Sequence, residues 1–502
     1  MEAISQSSRP ISDYVLPKSW HSFLSKLTVL RWARSDWHHG GEANPSSLPF
    51  LLLADDNRLI VVNPNVVADS ATVPLNTLSY VVADYSLGGQ FGRLTYADFI
   101  LDQFHVLLLF EMAPHASILY LTSPQREDIA GTKFSGEQGV SVSPSGRTQA
   151  LLLRHKGQDH VVILTRSANE IQVQSSFAAN TVDAQGIALS PDGDPVIAVW
   201  DAAAHGVRIF FFTVLGHSLK QLDIGPSPAD HVLPGVGVSA LQLVANDEGA
   251  ILAFAHGEKE LSLRYQHHRT MTVRQLISLK HPSVIDGAHA IVWQQVNPHD
   301  KAFRLEKGAF DAVDESVRGS APTRLSFNAD QSFLVTTVAD NARNVWLWQP
   351  DHPEVHTVIV FCHTVRQIAW HPRNPSVLII VTAQQEPAGY VWYAETKPPV
   401  QCVLPLDSVG SAKLEVEWIA QEGQPRCPLL LSAVHTWKAG LLELRPEGVV
   451  FESIPLAHPF DFGHNEVSEE LYTPSRSSKT KEKSLTSGIS APSSTRPKSH
   501  LW

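Results

Sequence analysis

The chain has 502 residues, 43% of them hydrophobic, with 12 tryptophans and a formal net charge of −11. That is enough apolar material for a large interior, and too acidic a body for the clustered Lys and Arg that phosphate contacts require, so no nucleic-acid partner is expected. The three cysteines Cys362, Cys402 and Cys427 make no even-numbered disulfide framework and suit a reduced, intracellular compartment.

In chain order, residues 1–20 read as a flexible lead without the charged and apolar blocks of a secretory signal. Residues 27–64 (LTVLRWA, PFLLLADD, RLIVVNP) and 94–124 (LTYADFIL, FHVLLLFE, SILYLTSP) are short apolar runs of strand length, and they are the loosest copies of a unit that becomes clear further on. Residues 139–167 read strand, turn, strand, loop, strand, with Ser143, Pro144, Ser145 and Gly146 in the turn. Residues 186–213 repeat that grammar as GIALSPDGDPVIAVWDAAAHGVRIFFFT, turning at Ser190, Pro191, Asp192 and Gly193. Proline presets φ and glycine accepts positive φ, so each tetrad reverses the chain between two strands. Weaker copies fall at 239–266, 325–350, 365–393 and 414–444. Between 279 and 323 an insertion interrupts the series; its AIVWQQV piece is expected to close the preceding unit as a strand, with most of the remainder as loop. From Thr473 the composition turns to Ser, Thr, Lys, Arg and Pro, a disordered tail by its lack of apolar residues.

One such unit has open edges and two apolar faces, so it needs like units packed against it. About eight copies, spaced near the ~40–45 residues of WD-type units, predict an all-β chain: a WD-repeat β-propeller of seven to eight four-stranded blades. Its expected extent is 21–460, with degenerate blades in 21–135, clearer ones in 139–277 and 323–445, the insertion at 280–322 and the tail at 473–502. No apolar run approaches the ~20 residues of a spanning helix, so membrane insertion is not expected.

Motifs for chemistry are nearly absent. Gly235 to Ala240 spells G-x-G-x-x-A, but it lacks the strand before and helix after that a dinucleotide needs, and reads as a turn entering a blade. The pairs His38–His39 and His267–His268 are adjacent, so on a strand they point to opposite faces and do not share a metal. The acid pairs Asp55–Asp56, Asp247–Glu248 and Glu469–Glu470 fall in turns or the terminal region. No catalytic, cofactor or metal residue is nominated, and a non-catalytic protein is expected.

The blade turns Pro144, Gly146, Pro191, Asp192 and Gly193 are therefore structural candidates, and Trp200, Asp201, Trp348 and Trp392 are candidates for closing a blade or lining its rim. Trp200-Asp201 is a Trp-Asp by spelling only, because it ends the second strand of its unit rather than the third. Trp348-Gln349 and Trp392-Tyr393 stand at the closing position and lack the acid, which puts the usual acid-centred hydrogen-bond network in doubt. Trp200 is expected to fill space between blades, and His205 to lie near a rim.

The phrase GIALSPDGDPVIAVWD followed by TVLGHSLKQL, together with the 139–167 unit, the long insertion, and the 325–350 and 365–393 units in order, resembles the antisense-to-p53 (WRAP) type of WD-repeat protein. The resemblance implies a non-catalytic scaffold of the cytoplasm and cytoskeleton. It would work at the spindle pole body or centrosome, pairing with a coiled-coil partner to anchor microtubule minus ends, with a minus-end-directed kinesin as third member. The chain departs from that family over residues 1–94, where no clean S-P-D-G turn occurs and one blade reads as degraded or missing, and in its tail. A generic WD-repeat adaptor in a ubiquitin-ligase or RNA-processing complex is the alternative.

Overall fold

A computed structural model describes the strands and most tight turns between residues 29 and 453. Outside the described residues lie everything before 29 and after 453, the segments 34–48, 64–80, 88–91, 191–195, 225–236, 298–301, 312–321, 405–413 and 420–426, and several shorter loop stretches. The expected lead and tail therefore lie outside them.

Eight successive stretches of chain, 29–86, 94–130, 140–178, 184–224, 238–280, 322–360, 365–403 and 415–453, each fold into four antiparallel strands laid side by side in chain order. They are blades 1 to 8. The segment 29–86, read from sequence as degraded, holds a full set of four strands. Among the described residues the only helical pieces are two three-residue 3-10 turns.

Position within a blade explains each strand's composition. The second strands of blades 2 and 7, His105–Phe110 and Val377–Thr382, are buried at every residue and are apolar but for His105 and Thr382 at their ends, as strands covered on two faces require. The fourth strands Arg126–Ala130 and Glu170–Ala178 are mostly exposed and carry charges or amides, which discourages pairing by their open edges.

Packing between blades follows the period of two. In blade 1, Leu52 and Val61 pack with Leu108 and Phe99 of blade 2. Leu51 and Leu53 point the other way and are 1% and 0% exposed, so blade 1 needs a second neighbour. Blade 8 lies beside it: Arg31 of blade 1 is 4.0 Å from Glu415 of blade 8. No strand is exchanged between the two among the described residues.

First strands meet one another toward the centre. Trp370 donates its indole N–H to the Ser326 carbonyl at 3.0 Å, and Trp418, at the corresponding place one blade on, donates to the Ala369 carbonyl at 3.3 Å. Gln367 both donates to the Val416 carbonyl and accepts from its N–H, at 2.7 and 2.8 Å. A single amide side chain thereby mimics a strand pairing between blades 7 and 8.

The insertion folds differently from the expectation. Blade 5 already carries its own fourth strand, Val273–Lys280, and is complete without the insertion. Instead Ile291–Gln295 runs parallel to Val355–Val360 on the outer edge of blade 6, and Phe303–Glu306 pairs beyond it, making a six-stranded sheet. Of the rest, Val284–Asp286 pairs with Ala309–Asp311 as a short two-stranded piece. Phe303 then packs edge-on against Phe361 and Tyr390, and Gln295 donates to the Tyr390 hydroxyl at 3.0 Å, fastening the hairpin to blade 7.

Candidate interaction surface

Of the five turn candidates, Pro144, Pro191, Asp192 and Gly193 lie outside the described residues, and Gly146 lies within them. Gly146 adopts φ +69° and donates its N–H to the Ser143 carbonyl at 2.8 Å, a four-residue turn that uses glycine's freedom. The serine before each proline has a role that the turn letters alone did not convey. Ser143 and Ser190 are 0% and 1% exposed, and their hydroxyls accept from the N–H of Thr148 and Val196 at 3.2 and 2.7 Å. Asn328 takes the corresponding place in blade 6, accepting from Phe333 at 3.0 Å.

Trp348 and Trp392 both sit on third strands and are fully buried. Trp348 keeps a hydrogen-bond network without the acid. Its indole N–H donates to the Thr336 hydroxyl at 2.9 Å, and His281, reaching over from the end of blade 5, lies 2.8 Å from that same oxygen and edge-on to the indole. In blade 7, Leu378 pairs with Trp392 as Leu334 pairs with Trp348, and Ile380 stands where Thr336 stands. The Trp392 indole N–H accordingly has no partner. Thr336→Val, of equal shape, is expected to strand two buried polar groups and cost about 1–3 kcal/mol, read as a lower thermal midpoint.

Trp200 and Asp201 end the second strand of blade 4, Val196–Asp201, and do two separate things. The half-buried indole of Trp200 packs in the cluster between blades 4 and 5 and lies over Gly186, where an added Cβ would sit 2.1 Å from the ring. Asp201, 0% exposed, turns back to the connection from blade 3. Its carboxylate accepts from the N–H of Asp183 at 2.7 Å and of Val182 at 3.1 Å, with the Arg208 guanidinium 3.4 Å away.

A second buried acid holds the same connection. Asp159, 2% exposed, accepts from Ala184 N–H at 2.6 Å, the Thr181 hydroxyl at 3.0 Å and the Lys133 ammonium at 2.9 Å. Lys133 also donates to Asp183 at 2.7 Å, and Arg154 does so at 2.8 Å. Buried carboxylates persist only when paired and hydrogen-bonded, and both acids are. Asp159 lies on a third strand two positions after a Gly-bearing turn, and nothing about HKGQDH in the sequence separates it from a solvated loop acid.

These groups share one end of the ring. With four antiparallel strands per blade, the turns after the second strand and the connections between blades fall at the same end. There the Gly131 N–H donates to the Pro114 carbonyl and the Arg154 N–H to the Gly131 carbonyl, both at 2.6 Å, so the loops of blades 2 and 3 are stitched in series, and the Arg154 side chain goes on to Asp183. His205 is exposed at this end.

The hydrogen bond from Lys133, joined by Arg154, holds the Asp183 carboxyl below the ordinary carboxylate range against its partial burial. A depressed folded value stabilises above the unfolded value near ~4 and loses that contribution as pH falls through the folded value. Thermal unfolding at neutral and acid pH is expected to show a shallower acid loss in Asp183→Asn than in the parent chain.

Among the described residues no group of three His, Cys, Asp or Glu is placed to hold a metal, and no helix is long and apolar enough to cross a membrane. The arrangement supports recognition by a rigid surface.

No family model matches the chain. Two curated relatives do. One is an uncharacterised WD repeat-containing protein of Schizosaccharomyces pombe, 28% identical over 48% of this chain and 48% of its own length. The other is the WD repeat-containing protein WRAP73 of Mus musculus, 22% identical over 53% of this chain and 59% of its own. The chain thus spans about half the length of the curated relatives it matches. Among solved structures, that of the Dos1 propeller shares 8% identity at a TM-score of 0.48, covering 78% of this chain and 88% of that one. The fold is thus a β-propeller of four-stranded blades, and the chain is similar to WD-repeat proteins, one of the WRAP type among them.

Proposed function

We propose that the chain is a scaffold of the spindle pole body or centrosome, which binds a coiled-coil partner to anchor microtubule minus ends and support spindle assembly, with a minus-end-directed kinesin joining the complex. The coarser part, a WD-repeat protein suited to a non-catalytic scaffold or adaptor, follows from the fold and relatives. What carries the finer part is the ordered resemblance of residues 139–393 to the WRAP type, with its Trp200-Asp201 placed at the end of a second strand.

A rigid ring suits that task, because its loops vary without disturbing the sheets and several blades engage one partner at once. Affinity purification of the tagged full-length chain from mitotic cells, followed by mass spectrometry, is expected to recover a coiled-coil protein and a kinesin in stable amounts. Recovery of ubiquitin-ligase or RNA-processing subunits instead overturns the spindle reading in favour of the adaptor reading.

A further inference from the structure

We infer that the chain pairs with a second copy of itself through the outermost strand of the blade 6 insertion, Phe303–Glu306, in a two-fold contact centred on Leu305. Such a contact needs no spindle role and would serve an adaptor equally.

The other seven blades end at their fourth strand, whereas blade 6 carries two more, Ile291–Gln295 and Phe303–Glu306. At about 4.8 Å per strand, the outermost one stands about 10 Å beyond its own fourth strand, which lets two copies meet there before their rings collide. Among the described residues no strand pairs with its outer side. An edge of this kind is a template for another strand.

The backbone is set for that pairing at Leu305. The Val296 N–H donates to the Ala302 carbonyl at 3.2 Å. Bonded pairs recur at every second residue of an antiparallel ladder, so Arg304 and Glu306 turn their N–H and C=O groups inward, to Gln294 and Val292. Leu305 lies between them and turns both of its groups outward. With a two-fold axis beside Leu305, the Leu305 N–H of each copy donates to the Leu305 carbonyl of the other.

The side chains suit the same register. Phe303 and Leu305 share the face turned to blade 7, where Phe303 is taken up by Phe361 and Tyr390 while Leu305 stays 42% exposed. Pairing lays the two Leu305 side chains beside one another on that face. On the opposite face Arg304 and Glu306 flank Leu305, so the pairing sets Arg304 of each copy across from Glu306 of the other. Within one copy the Arg304 guanidinium already lies 2.5 Å from the Glu306 carboxylate, and the dimer extends that pair into four alternating charges. The edge is therefore self-complementary, as a two-fold interface requires. The rim strand Arg126–Ala130 fails this condition, because its Arg126 and Asp128 bracket Glu127 and self-pairing would oppose two glutamates.

A contact of this size is small, so the dimer is expected to be weak and reversible. Sedimentation equilibrium of the full-length chain across the micromolar range tests it, each variant first being required to keep the parent's thermal midpoint. The parent is expected to dimerise with rising concentration. Leu305→Pro removes the N–H that crosses to the other copy and spares the hairpin, since that N–H points outward; it is expected to stay monomeric. Arg304→Glu and Glu306→Arg each oppose like charges twice per dimer, and each is expected to weaken self-association about tenfold or more. Mixing these two single variants, or joining both substitutions in one chain, restores opposite charges and is expected to restore the dimer. Should Leu305→Pro fail to fold, this charge series decides.

A parent chain that stays monomeric across the range overturns the proposal, whether the edge stands open or takes a strand of another protein. So does a dimer left intact by Leu305→Pro and by both charge reversals, which puts the contact elsewhere on the chain. Neither result touches the scaffold reading.

Discussion

Asp159→Ala is expected to destabilise the protein by about 3–5 kcal/mol, the scale for removing one partner of a buried ion pair. Lys133, whose side chain is 7% exposed, loses its nearest buried acid, and the Thr181 hydroxyl and Ala184 N–H lose their acceptor at the junction of blades 3 and 4. Asp183→Ala is expected to do far less, because Asp183 is 44% exposed at its side chain and water replaces much of what is removed. Denaturant unfolding of the two variants separates them. Equal midpoints would mean that the buried acid is dispensable and that the junction holds by its hydrophobic cluster alone.

Gly186→Ala is expected to cost about 1–3 kcal/mol or more as overpacking, although alanine suits a strand better than glycine does. The reason is the approach of the Trp200 indole, three of whose carbons would lie 2.1, 2.5 and 2.7 Å from the new Cβ. The indole would have to leave the cluster between blades 4 and 5, against which it packs. Trp200→Ala combined with Gly186→Ala removes the clash, so the double variant is expected to be less destabilised than the two single losses added together. Additivity of the two losses, measured in a double-mutant cycle, would show that ring and glycine are uncoupled.

The repeated fold was legible in the residues because a blade is a local object. Its turns, strand lengths and apolar runs lie within some forty residues of one another, so 139–213 disclosed the grammar and even the loose copy at 94–124 proved to lie in a four-stranded blade. The insertion was misread at the one point where pairing is not local. Ile291–Gln295 joins a strand more than sixty residues later, and in parallel, which no turn signal marks. The misplaced Trp200-Asp201 could be seen in the sequence, but not its use. That depends on Val182 and Asp183 coming back across a blade boundary to a buried carboxylate. Asp159 was not singled out for the same reason, since its partners Lys133, Thr181 and Ala184 flank it from two other loops. The Thr336 hydroxyl likewise shows how a blade keeps its tryptophan bonded after losing the acid, by borrowing His281 from the preceding blade.

Live imaging of the tagged full-length chain through mitosis tests the scaffold account most directly. The account predicts concentration at the two spindle poles from early mitosis onward, with splayed or detached microtubule minus ends when the chain is depleted. A chain that stays diffuse throughout, with spindles focused normally in its absence, would contradict it.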